Sequence, residues 1–308
     1  MEDVLSILPR HIAGLVRALP ESITEHAEEI RIRVNRPVEV TARGLPTFLP
    51  YLATEEDAEQ IITSLARHSF YTLEEELMKG YITVEGGHRI GLAGKIIMEN
   101  GRVRAIRQFG SFNIRVAREV IGVAEKAVSY IYEDGWKHTM IIGSPQTGKT
   151  TFLRDVARMM SEGDRQRGIP PAKVGIVDER SEIAGCLRGA PQLTFGPRID
   201  VLDACPKAEG MMMMIRSMSP DVLIVDEAGR EDDSLAIMEA INAGIVLVMT
   251  IHGRDLNEVS KRPTVKRLLE EKVFDRFIEL ERGAAPGTVK AIRNAEGQNL
   301  WHGQAGIR

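Results

Sequence analysis

The run Gly143-Ser144-Pro145-Gln146-Thr147-Gly148-Lys149-Thr150-Thr151 has the spacing G-x-x-x-x-G-K-T. Two glycines let a backbone curl until successive N–H groups face phosphate oxygens, and a helix starting at the lysine adds the positive end of its dipole. Lys149 would then reach the β- and γ-phosphates, and the Thr150 hydroxyl would ligate Mg²⁺. Two other places put acids at the end of an apolar run. In Val222-Leu223-Ile224-Val225-Asp226-Glu227, Asp226 is suited to hold Mg²⁺ through its waters and Glu227 to orient and deprotonate an attacking water. In Val177-Asp178-Glu179-Arg180-Ser181-Glu182, the acids Asp178, Glu179 and Glu182 are either a solvated strand end or a second carboxylate group beside the metal, with Asp178 a candidate ligand. A third run ends in Thr250-Ile251-His252, two strand-ends from the P-loop, which makes His252 either a γ-phosphate sensor or an ordinary histidine at a strand tip. Together these residues point to hydrolysis of ATP with Mg²⁺, since Glu227 favours water over a second substrate as acceptor.

Such groups must be delivered by strands that end at one edge. From 139 onward the pattern is strand, loop, helix, strand, with buried strands over 173–177, 222–225 and 245–249, which implies a parallel sheet with crossovers. In an open sheet of that kind ligands bind at the carboxyl ends of the strands. A helix over 263–271 and closing strands over 273–281 and 289–293 complete the domain. Met211 to Met214 sit in a helix, as core or as a plastic partner surface.

The first part of the chain reads differently. Apolar residues recur at helical spacing over 4–19, and strands alternate over 29–34 and 38–41. A helix over 58–69 and a short one over 73–79 follow. Period-two strands then run over 81–85, 88–98, 102–109 and 111–117, with turns at Gly86-Gly87 and Asn100-Gly101. The expected organisation is a smaller α+β domain over 1–118, a linker helix over 119–134 and an α/β P-loop domain over 135–308.

Composition narrows the class further. A net charge of −4 with 5% aromatics argues against a protein that tracks nucleic acid, which usually needs a basic surface and stacking rings. Cys186 and Cys205 have no metal-ligand spacing, and so few thiols suit a reducing compartment. Arg10, His11 and Arg17 interrupt the N-terminal apolar segment, so any membrane association is expected to be peripheral.

These motifs resemble one family. Arg216-Ser217-Met218-Ser219-Pro220-Asp221 leading into Asp226-Glu227, the strand end at His252, and the acids at 178–182 are similar to the segment before Walker B, the "His box" and the "Asp box" of the secretion and type IV pilus ATPases. Within that superfamily the likeness is to a sporulation branch, and it extends through Gly87-His88-Arg89-Ile90-Gly91-Leu92 and Val273-Phe274-Asp275-Arg276. The resemblance implies a RecA-like core and nucleotide binding by 143–151. It implies hydrolysis through Glu227, sensing through His252, and Asp-box work by Asp178, Glu179 and Glu182. It also implies a homo-oligomeric ring, usually a hexamer, in which N-terminal arginines reach the nucleotide; Arg107, Arg115 and Arg118 occupy the suitable positions. As partners it implies the membrane-embedded components of a secretion-like channel between mother cell and forespore. Two departures stand out: Asp226 replaces a usual glycine, and Gly229 stands where many pilus motors have an arginine, with Arg230 one place later. A nucleic-acid motor on the same core is the alternative of a different class, and a nucleotide-binding switch with little turnover is a third.

Overall fold

Pro9 divides the N-terminal apolar run. It forces Leu8 into extended backbone (φ −77°, ψ 150°), so one expected helix over 4–19 becomes two, α1 (Glu2–Ile7) and α2 (Arg10–Arg17). The computed structural model describes residues 1–66, 80–99, 101–229, 231–283 and 285–302. The helix expected over 73–79 and Arg230 lie outside the described residues. The chain forms two compact units, Met1–Arg118 and Glu119–Arg308.

In the first unit, α3 (Glu21–Thr24) precedes β1 (Ala27–Arg33), β2 (Pro37–Ala42), β3 (Leu45–Leu52) and α4 (Glu55–Ala66), followed by β4 (Tyr81–Val84), β5 (His88–Glu99) and β6 (Arg102–Arg115). The strands make an antiparallel sheet in the order β3-β2-β1-β6-β5-β4. β3 lacks a clean alternation, carrying Pro46 and Pro50, and was not expected from the sequence. β6 runs unbroken where two strands were expected. Ile30, Ile32, Val40, Ile90 and Ile114 are buried with Val4, Ile12, Val16 and Ile61 of the helices.

Residues 119–134 do not form a linker helix; they turn, and only Val128–Ile131 (α5) is helical. The segment is fastened to its own unit, because Ala124 N donates to buried Asp155 at 2.8 Å and Ala124, Ala127 and Ile131 enter the core. Next come β7 (Thr139–Gly143), α6 (Lys149–Glu162), β8 (Val174–Asp178), β9 (Ile199–Asp203), α7 (Lys207–Met218), β10 (Val222–Val225), α8 (Glu231–Asn242), β11 (Val246–His252), α9 (Leu256–Val259), α10 (Pro263–Glu270), β12 (Arg276–Glu281) and β13 (Thr288–Asn294). The sheet order is β13-β12-β7-β11-β10-β8-β9, parallel except for the β12–β13 hairpin at one edge. Alternation along the buried strands feeds two cores. Ile141, Val222 and Ile224 pack with Phe152, Leu153, Val156 and Met160 of α6. Met140, Leu223 and Val225 pack with Met211, Met214, Ile237 and Leu268 on the other face. Among the described residues no helix is long and apolar enough to cross a membrane.

The four methionines divide by helical geometry: Met211 and Met214 are buried, whereas Met213 is 48% exposed. Met211→Ala should therefore destabilise the second unit by about 2–5 kcal/mol and Met213→Ala by under about 0.5 kcal/mol. Urea unfolding followed by tryptophan fluorescence measures this, since Trp136 and Trp301 both lie in the second unit.

Candidate nucleotide site

The P-loop joins β7 to α6, and its two glycines serve different constraints. A Cβ on Gly143 would stand 2.4 Å from Thr147 Oγ1 and 2.9 Å from Lys149 Cγ, so the loop folds over its strand only with glycine there. Gly148 has φ +85°, and a Cβ on it would meet the backbone N of Gly287 at 2.4 Å. Gly287 N in turn donates to Thr147 O at 2.8 Å, so the β12–β13 turn braces the loop. Arg282 adds a bond from Nη2 to Gln146 Oε1 at 3.1 Å. Lys149 is only 7% exposed, and its ammonium donates to Ser144 O at 3.4 Å. Gly148, at the N-terminus of 14-residue α6, precedes Lys149, Thr150 and Thr151, whose N–H groups lie in the first helical turn.

Asp226 ends β10 and is the meeting point of three elements. Its Oδ2 accepts the Thr150 hydroxyl of α6 at 2.8 Å, and its Oδ1 accepts the Thr250 hydroxyl of β11. Burial pushes its carboxyl above the usual carboxylate range, while the two hydroxyls and Lys149 pull the other way. The Thr250 oxygen also accepts the backbone N–H of Glu227 at 2.8 Å. Glu227 is held at φ +51°, a left-handed conformation that a glutamate seldom adopts. Its Oε1 lies 3.7 Å from Lys149 Nζ, and its Oε2 lies 3.4 Å from Arg180 Nη1.

β11 lies directly between β7 and β10, so His252 pairs with Gly143 itself. It is thus one strand from the P-loop, nearer than the two expected. Its side chain is exposed, and its carbonyl accepts Arg262 Nη1.

Asp178 departs from the expected ligand role. Its Oδ1 accepts Glu182 N, and its Oδ2 accepts Ile183 N and Ala184 N, each at 2.9 Å, so the carboxylate is turned into its own backbone turn. Burial raises this carboxyl to about 6, against the N–H groups and helped by Asp203, its register partner on β9. Glu179 pairs with Lys207 of α7. Glu182 is exposed, and its carbonyl accepts Arg154 Nη2 at 2.7 Å. Arg107, Arg115 and Arg118 belong to the first unit. Arg107 is exposed on β6, opposite Lys95. Arg115 stands 3.7 Å from Glu29, and Arg118 donates to the carbonyls of Glu25 and Ala27.

Sequence reasoning missed four residues here. Arg180 reads in sequence as one charge among acids, yet its guanidinium stands 3.4 Å from Glu227. Thr250 reads in sequence only as part of the run that ends at His252, yet its hydroxyl donates to the Asp226 carboxylate and accepts the Glu227 backbone N–H. Arg154 lies five residues after Lys149, one helical turn and a half on, and Arg282 lies outside every motif; only position along an amphipathic helix could have suggested the first.

The sequence matches the family described as Sporulation stage III, protein AA over residues 1–300. It is 54% identical over 300 residues to Stage III sporulation protein AA of Bacillus subtilis (strain 168), covering 97% of each chain. It is also 33% identical over 174 residues to Protein SEEDLING PLASTID DEVELOPMENT 1 of Arabidopsis thaliana, covering 54% of this chain and 24% of that one. Among solved structures, the pilus retraction motor PilT with bound ADP superimposes with TM-score 0.58 at 15% identity, covering 86% of this chain and 77% of that one. The Legionella pneumophila ATPase DotB does so with TM-score 0.57 at 13% identity, covering 88% and 76%. At such identities the likeness concerns the fold, a RecA-like P-loop core after a smaller α+β unit. By the match along its length and by its close relative, the chain belongs to the stage III sporulation protein AA family.

Proposed function

We propose that this chain hydrolyses ATP with Mg²⁺, as one subunit of a homo-oligomeric ring, and that the ring energises a membrane-embedded, secretion-like channel during sporulation. The observation that carries the hydrolase reading is the Asp226 carboxylate shared by the hydroxyls of Thr150 and Thr250, because it ties the P-loop helix to the acid pair at the end of β10.

The residues fit a magnesium nucleotide. The close approaches at Gly143 and Gly148 make a cradle that any Cβ would fill. Among the described residues no group of three or more His, Cys, Asp or Glu side chains could hold a metal by itself. That suits Mg²⁺, which is held by one or two protein oxygens together with phosphates and waters. Thr150 and Asp226 would hold it, and the ion, when bound, neutralises charge on the phosphate oxygens. Lys149 exchanges the Ser144 carbonyl for phosphate oxygens. The backbone N–H groups of Ser144 and of 146–151 receive the rest of the phosphate charge, Pro145 having none to give. Glu227, fixed through its N–H on Thr250, takes the proton of the attacking water. His252, beside Gly143 at the strand tip, reads the γ-phosphate. Glu179 and Glu182 keep the acidic turn in place rather than meeting the metal.

Lys149→Ala should abolish or nearly abolish binding of a fluorescent ATP analogue, because the phosphates lose their P-loop cation. Glu227→Gln should bind ATP with Mg²⁺ yet release phosphate about 10²- to 10⁴-fold more slowly. Full turnover by Glu227→Gln would remove Glu227 as the base.

The ring is what the resemblance to the secretion ATPases implies, and Arg115, exposed in the first unit, is the candidate to reach a neighbouring subunit's nucleotide; Arg118 is already engaged by two carbonyls and is the weaker candidate. Specific activity should rise with protein concentration. Mixing Lys149→Ala with Arg115→Ala subunits should restore part of the activity, since hybrid rings contain sites with an intact P-loop facing an intact arginine. Constant specific activity in a monomer by light scattering, without rescue on mixing, would exclude the ring.

A further inference from the structure

Glu227 stands between two cations. Its two oxygens go to different partners, Oε1 to Lys149 at 3.7 Å and Oε2 to Arg180 at 3.4 Å. At nearly equal separations the carboxylate charge is divided between them, the exposed Arg180 pair being the more screened by water. The sharing matters because the cations have different work. Lys149 is buried in the P-loop and is the cation that phosphates need, whereas Arg180 is 65% exposed and lies on the acidic turn.

The turn that carries Arg180 is fixed from two sides. Asp178 gathers the N–H groups of Glu182, Ile183 and Ala184. Arg154 of the P-loop helix donates to the carbonyls of Ile183 at 2.6 Å and Glu182 at 2.7 Å. Ser181 closes the turn with φ +54°. The neighbouring side chain, Glu179, is drawn the other way, onto Lys207. Arg180 therefore leaves a rigid base on the side of the turn that faces Glu227.

We infer that Arg180 is a positioning residue that draws Glu227 off Lys149, keeping the lysine available to phosphate and the carboxylate in place for water. This rests on the hydrolase reading above. If Arg180 were removed, the whole carboxylate would fall to Lys149, and a nucleotide would have to displace a less screened ion pair before binding.

A binding cycle with Mg²⁺ and the fluorescent diphosphate mant-ADP tests this without turnover. Arg180→Ala should weaken mant-ADP by about two- to fivefold, the scale of one partly exposed ion pair. In the Glu227→Gln background, where there is no charge to draw away, the same substitution should cost nothing. Arg180→Lys should keep most of the affinity, and thermal midpoints should agree among the variants because Arg180 lies mostly in solvent. Turnover of Arg180→Ala should fall in kcat as well as rise in KM. Unchanged affinity in Arg180→Ala overturns the inference. So does an equal loss in both backgrounds, which would mean a direct phosphate contact or a structural role. If the wild type neither binds mant-ADP nor hydrolyses ATP, the hydrolase reading fails and this inference with it; a wild type that does both, with an indifferent Arg180→Ala, sinks the inference alone.

Discussion

A carboxylate half withdrawn from water must find donors, and Asp226 finds two hydroxyls on two different elements. Leaving such a group short of donors costs about 1–3 kcal/mol, so the bonds to Thr150 and Thr250 fix the ends of α6, β10 and β11 relative to one another. Those three ends hold the lysine, the acid pair and the histidine of the site. The same Thr250 oxygen takes the Glu227 N–H, which helps keep that residue in a left-handed backbone it would otherwise leave. One threonine thus sets both the acid suited to the metal and the acid suited to water.

Around this point the site is braced rather than merely assembled. The P-loop leans on the β12–β13 turn through Thr147 and Gly287, and the acidic turn is held by Asp178 within and Arg154 from α6. P-loop helix, Asp-box turn and Walker B end are therefore mechanically joined through α6.

Much of the fold was legible because the signals were local. Buried strands such as 222–225 are unbroken apolar runs, and G-x-x-x-x-G-K-T announces its own strand and helix. What failed was what depends on neighbours. β9 carries Asp200 and Asp203 and has no apolar run, since it is an edge strand recruited by β8. The segment 119–134 has helical spacing, yet Asp155 and the core hold it as turns. At the site, spacing identified which acids end strands but not where their oxygens point. Asp178 and Asp226 are alike in sequence; one turns into its own backbone and the other toward two hydroxyls. Strand order also lies beyond local reading, and it is β11 intervening between β7 and β10 that brings His252 next to Gly143. Arg180 showed no signal because an arginine beside acids reads as surface charge until the turn's direction is known.

The claim that Asp226 is the hinge of a magnesium-nucleotide site is tested most directly by the magnesium dependence of ATP affinity. Calorimetric titrations of wild type and Asp226→Asn, each with Mg²⁺ and with EDTA, separate the metal's share from the P-loop's. A hinge role for Asp226 requires that Mg²⁺ tightens ATP binding to the wild type, that Asp226→Asn loses about 10- to 100-fold of that gain, and that both bind alike in EDTA. Equal gains from Mg²⁺ in the two proteins would contradict it.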